Sequence, residues 1–233
     1  MSYLTKNTKT EKGLKLGYST FGIHLAPANS SGYNVCSSAS EGCILACLNT
    51  AGRGQQTMVQ VARVNKTKKL FADLSQGLSD IALEIKKAIK KALKQGLLPA
   101  FRLNLTSDVR WEKLKLPNGN TLFEEFPSVQ FYDYTKHADR MFSKLPANYH
   151  LTFSRSENFV NRLQVDKVLS CGGNVAVVFS TVKGEALPEM YNGYKVVDGD
   201  DTDLRFLDEK NVIVGLYSKG KAKVDTSGFV VQV

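Results

Sequence analysis

Apolar residues recur at helical spacing between Val59 and Gln95: Val61 and Val64, then Leu70, Phe71 and Leu74, and beyond Gly77 Ile81, Leu83, Ile85, Ala88, Ile89 and Ala92. The spacing predicts two helices broken near Gly77, the second with Ser79 as N-cap, lysines near its end and Gly96 as its stop. After residue 96 the pattern changes to short apolar or β-branched runs at 97–105, 129–134, 149–154, 174–180, 194–200, 211–218 and 228–233, each of which predicts a strand. The runs at 174–179 and 211–216 are hydrophobic throughout, which suits parallel strands covered on both faces. Segments 121–126 and 157–169, the latter with Phe159, Val160 and Leu163, fit crossovers between such strands.

Polar residues gather just past the predicted strand ends, at Ser107, Asp108, Arg110 and Glu112, at Tyr134, Lys136 and His137, at 154–157, and at 198–203. The functional rim of a parallel α/β fold is the carboxyl edge of its strands. The expected architecture is one α/β domain over residues 1–233, a partial or distorted (β/α) barrel with mostly parallel strands and a cysteine-rich loop at 34–54.

Composition narrows the function classes. With 42% hydrophobic and 23% charged residues the chain is ordinary for a soluble protein, and its apolar runs are too short to cross a membrane. Its basic first twenty residues lack the apolar stretch of a secretory signal, so a cytoplasmic location is expected. The formal charge of +9 favours contact with a polyanion such as nucleic acid. Lys66, Lys68, Lys69, Lys86, Lys87, Lys90, Lys91 and Lys94 all fall in the helical segment, where a solvated helix face is the simpler reading. Lys219, Lys221 and Lys223 read as a basic edge that discourages strand aggregation.

The sharpest chemical signal is Cys36, Cys43 and Cys47, three thiols within twelve residues. Clustered thiols in a reducing compartment point to metal or catalysis rather than to disulfides. Three soft ligands at this density can wrap one iron–sulfur centre, expected as a 4Fe-4S cluster in which one iron is left open if only these three bind. Zinc needs a fourth ligand and pairs spaced by two to four residues, a pattern that only Cys43 and Cys47 approach; Cys171 or His24 would have to complete it. A chain without metal is the third reading. Gly52, Arg53 and Gly54 follow as a basic turn able to hold an anion beside the cluster.

Other candidates lie along the predicted rim. Asn104, Ser107 and Asp108 leave the first strand together, beside the lone Trp111, and a capped loop explains them as well as a site does. Alternation puts Tyr132, Tyr134 and Lys136 on one side of their strand and Phe131, Asp133 and Thr135 on the other. Glu157 completes a candidate catalytic set of Asp108, Tyr132, Tyr134, Lys136 and Glu157, with Arg53, Asn104 and Ser107 as cofactor-binding candidates. His137 has no partner motif for a hydrolytic triad. The acidic stretch 198–203 lacks the twelve-residue calcium-loop pattern and reads as an exposed turn.

The stretches ACLNTAGRG, RLNLTSDVRWE, FYDYTK, NYHLTFSRSE, NVAVVF, VVDGDDTDLRF and GLYSKGKAKVDTSGFV, in this order, resemble the gene product 88-like family of phage-encoded proteins. The resemblance implies a viral protein of the infected bacterial cytoplasm with a metal or cluster site at the three cysteines; Cys171 lies outside the pattern. The cysteine layout is also similar to that of radical S-adenosylmethionine enzymes, which implies S-adenosylmethionine as a candidate cofactor. Two functions are therefore expected to compete: an iron–sulfur protein, in the limit an enzyme, that binds a small molecule at an open iron, and a basic nucleic-acid-binding protein whose metal is structural.

Overall fold

The computed structural model describes residues 2–6 and 11–233. Among these, nine strands form one sheet: β1 (Leu4–Thr5), β2 (Tyr18–Ile23), β3 (Leu98–Arg102), β4 (Gln130–Thr135), β5 (Tyr149–Ser154), β6 (Val175–Phe179), β7 (Met190–Tyr191), β8 (Tyr194–Asp198) and β9 (Ile213–Tyr217). Their spatial order is β1-β2-β3-β4-β5-β6-β9-β8-β7. From β2 to β8 all neighbours are parallel, and only the outermost β1 and β7 run antiparallel to their partners. The sheet does not close on itself, so the expected partial (β/α) barrel is an open, mostly parallel sheet.

The helices are α1 (Glu41–Leu45), α2 (Thr57–Ala72), α3 (Leu74–Lys94), α4 (Leu122–Glu125), α5 (Ala138–Phe142) and α6 (Phe159–Ser170). The break between α2 and α3 falls at Asp73, whose carboxylate accepts from Gln76 N and caps α3, rather than at Gly77. Gly77 instead lies inside α3, where a Cβ would stand 2.6 Å from Leu70 Cδ1; its absence lets the two helices cross closely. Ser79 is likewise inside the helix, its hydroxyl bonded back to Ser75 O. The buried face of α2 is Arg63, Lys66, Thr67 and Leu70, and Val61 is exposed.

The strands and contacts differ from the predicted ones at three further places. No strand is predicted at β2, because alternation gives Tyr18–Ile23 one face of Ser19, Phe21 and Ile23 and another of Tyr18, Thr20 and Gly22, so no continuous apolar run marks it. Segment 228–233 forms no strand and pairs with the sheet at a single bridge, Val231 with Phe179. Helix α6 packs through Val165, Val168 and Leu169, leaving Phe159, Val160 and Leu163 in solvent.

Parallel register sets the two faces. Phe21, Phe101 and Phe131 are aligned on neighbouring strands and stack at 5.5 and 5.6 Å, forming with Leu78, Ile81 and Ile85 of α3 the larger core. The opposite face carries Thr20, Arg102, Tyr132, Tyr134, His150 and Thr152. Residues 199–208 cover part of it: Phe206 packs on Tyr18 and Tyr132, and the buried Asp203 takes Arg102 Nη1 at 2.9 Å and the Tyr132 hydroxyl at 3.0 Å. The segment read as an exposed acidic turn thus seals the polar face of the sheet. No helix among the described residues is long and apolar enough to cross a membrane.

Candidate functional site

The chain leaves β2 and enters the cysteine loop, whose shape is dictated by short polar side chains. Asn34 Oδ1 accepts from Cys36 N at 3.0 Å, and the Ser40 hydroxyl caps α1 by accepting from Cys43 N at 3.3 Å. Glu157, just past β5, reaches over to the same turn: its carboxylate accepts from Gly42 N at 2.8 Å and from Ser40 Oγ at 2.7 Å. A Cβ on Gly42 would stand 2.2 Å from Ser227 Oγ, so only glycine fits between this clamp and the C-terminal segment. On the far side His137 Nδ1 is 2.8 Å from Ser38 Oγ and also receives Arg110 Nη2 at 2.9 Å. Burial lowers the imidazole pKa, consistent with a neutral ring that accepts from the guanidinium.

These tethers bring Cys36, Cys43 and Cys47 to one cavity of about 230 Å³. Its other walls are the carboxyl ends of β3, β4, β5, β6 and β9, through residues such as Arg102, Tyr134, Lys136, Ser154, Val178 and Leu216. All three thiols are half-buried and free. Burial pushes the Cys36 thiol up to about 11 and raises that of Cys47 as well. Arg63 opposes the effect at Cys47: it is buried beside the thiol and bonds Asn49, whose N–H points at Cys47 Sγ at 3.5 Å. Among the described residues no three His, Cys, Asp or Glu side chains are placed to share a single metal ion.

The model of the family described as gene product 88 matches residues 2–233. The chain belongs to that family. No curated protein and no solved structure matches it. For this gene product 88 chain, position and bonding must therefore say what each candidate residue does.

Asp108, Tyr134, Lys136, Asn104 and Ser107 all line the cavity with the cysteines. Asn104 is also the organiser of its loop, its Oδ1 accepting from Ser107 Oγ, Val109 N and Trp111 Nε1. Asp108 is held by Arg140 Nη1 at 2.9 Å and by Lys136 N at 2.8 Å. Tyr134 stacks under the Arg102 guanidinium at 4.4 Å. Tyr132 lies deeper, bonded to Asp203, and Glu157 serves as the clamp on α1; neither lines the cavity. Arg53 is exposed on the turn Gly52–Gln55 and also stays outside it.

Neither remaining ligand candidate arrives. Cys171 is exposed at the C-cap of α6, and His24 does not line the cavity; burial and the cations Arg63, Lys66 and Arg102 hold its imidazole down to about 3. In the acidic stretch Asp198 accepts from the Tyr217 hydroxyl, and Asp200 pairs with Lys219. Arg63 and Arg102 were missed by sequence reasoning. The available signal was a basic residue on the inward stripe of α2, three and four residues before Lys66 and Thr67.

Replacing the Glu157 clamp has a defined consequence. Loss of a cap costs a helix about 1 kcal/mol, or about fivefold in its open population. In metal-free Glu157→Ala, iodoacetamide is expected to alkylate Cys43 about fivefold faster than in the parent. An unchanged rate would show that Glu157 does not hold the loop.

Proposed function

We propose that this is a phage-encoded iron–sulfur protein of the infected bacterial cytoplasm, in which Cys36, Cys43 and Cys47 hold a 4Fe-4S cluster and one iron stays open to a small ligand. The observation that carries the reading is the convergence of all three cysteines on one cavity at the carboxyl edge of the parallel strands. A thiolate in this half-buried setting is costly on its own, as the upward shift of Cys36 records, and coordination to metal offsets that cost. In a four-iron cube each thiolate takes a different iron, so its ligands stand farther apart than around one ion. Tetrahedral zinc needs four donors around one ion, and neither Cys171 nor His24 lines the cavity as the fourth.

When bound, such a cluster supplies an iron that is Lewis-acidic or electron-donating. The chain's own residues would do the rest. Glu157, Ser40 and the His137 contacts fix the loop, Arg63 favours thiolate at Cys47, and Asp108, Tyr134 and Lys136 face the ligand space. The cluster loop follows the first parallel strand of the open sheet, a placement similar to that of the cluster loop in radical S-adenosylmethionine enzymes. The cysteine spacings, six and three residues against three and two, differ. S-adenosylmethionine is the first ligand to test, by the change it produces in the electron paramagnetic resonance of the reduced protein.

A decisive variant is Cys43→Ser. Loss of a brown chromophore with an unchanged far-ultraviolet circular dichroism spectrum is expected; an unaltered absorption spectrum would refute the ligand assignment. The second reading, nucleic-acid binding, is favoured by the exposed Lys86, Lys87, Lys90, Lys91 and Lys94 on α3. It requires retention of DNA or RNA that weakens steeply with salt.

A further inference from the structure

Lys136 stands out among the cations of the cavity. Its ammonium donates to Ser154 Oγ at 2.7 Å and lies 5.3 Å from the centre of the Phe229 ring. Among the described residues no carboxylate lies within ion-pair distance of it. The other wall cations are matched, Arg102 by Asp203 at 2.9 Å and Lys219 by Asp200, while the wall carboxylate Asp108 is held by Arg140. Arg102 is nine-tenths buried, lines the cavity, and has an Nε with no hydrogen-bond partner. The space between is bounded by Leu105, Val178, Leu216 and Phe229.

A half-buried ammonium without a carboxylate partner, set among apolar side chains, gains from a negatively charged occupant. One unmatched positive charge balances a monoanion, whereas a phosphate group carries about −1.5 to −2 near neutral pH. The apolar walls add a requirement for a hydrocarbon portion. We infer that the cavity takes a small organic carboxylate, its carboxylate on Lys136 Nζ beside the Ser154 hydroxyl and its apolar part against Val178, Leu216 and Phe229. The inference rests on the cavity being the ligand site, but it does not require the cluster.

The test uses the full chain in both metal-free and anaerobically reconstituted forms. Phenylacetate, 4-phenylbutyrate and hexanoate are titrated by calorimetry beside their neutral amides and phenyl phosphate. At least one acid is expected to bind ten times more tightly than its amide, a preference lost in Lys136→Met and kept in Lys136→Arg. Absence of any acid preference, or its survival in Lys136→Met, overturns the inference; tighter binding of phenyl phosphate than of every acid overturns the choice of carboxylate. Acid binding by a colourless protein upholds this inference while removing the cluster, and a brown protein indifferent to acids does the reverse.

Discussion

Arg140→Met is expected to destabilise the protein by about 3–5 kcal/mol, the usual cost of removing one partner from a buried ion pair. Arg140 is 1% exposed and spends its whole guanidinium on neighbours. Nη1 reaches Asp108 at 2.9 Å and Thr135 at 3.1 Å, Nε and Nη2 reach the Glu112 carboxylate at 3.0 and 2.8 Å, and Nη2 also donates to the Tyr149 hydroxyl at 3.0 Å. Methionine fills much of the volume but leaves two carboxylates facing each other without a cation. Urea unfolding of both proteins at pH 7 measures the difference, and a loss below about 1 kcal/mol would show that water already screens the network. Because Arg140 orients Asp108, the same variant links the fold's interior to the cavity wall.

The second large effect concerns Asp133, which shares that network. It lies fully buried on the core side of β4, accepting from Asn104 N at 2.7 Å and from the Tyr149 hydroxyl at 2.9 Å. Burial raises its carboxyl to about 7, against the opposing pull of Arg102 and hydrogen bonds. A folded-state pKa above the unfolded value means that the native state binds the extra proton. The stability linked to that proton is full below about pH 4 and disappears as pH rises through about 7, a change of about 4 kcal/mol. Asp133→Asn keeps the uncharged form at every pH. The stability of the parent relative to Asp133→Asn should therefore fall by up to about 4 kcal/mol between pH 4 and pH 8, as read from urea midpoints. A difference independent of pH would place the Asp133 titration elsewhere.

Much of the architecture was legible because burial on both faces writes itself into the sequence. The runs containing β6 and β9 are apolar throughout, and the parallel reading follows from them. Strand β2 escaped because one of its faces meets polar residues and Gly22, where a Cβ would stand 2.5 Å from Leu105 Cδ1. The helix break was misplaced for a related reason. Gly77 resembles a breaker in isolation, yet it is a contact point between α2 and α3, and such tertiary demands leave no local signature.

The candidate site was legible in its ligands and less so in its support. Close spacing of the three cysteines needs no tertiary knowledge, whereas the roles of Glu157 and Arg63 depend on which strand ends and helix faces meet. Tyr132 and Tyr134 show how alternation along a strand fixes a side without fixing depth: one is sealed beneath Asp203, the other reaches the cavity.

The central claim is the cluster, and the most direct measurement is the ultraviolet–visible spectrum of protein purified without oxygen, taken with its iron, sulfide and zinc content. A brown protein absorbing broadly near 400 nm, with iron and sulfide in comparable amounts and neither retained by Cys43→Ser, is the expected result. A colourless protein with stoichiometric zinc, or with no metal after anaerobic purification and reconstitution, would contradict it.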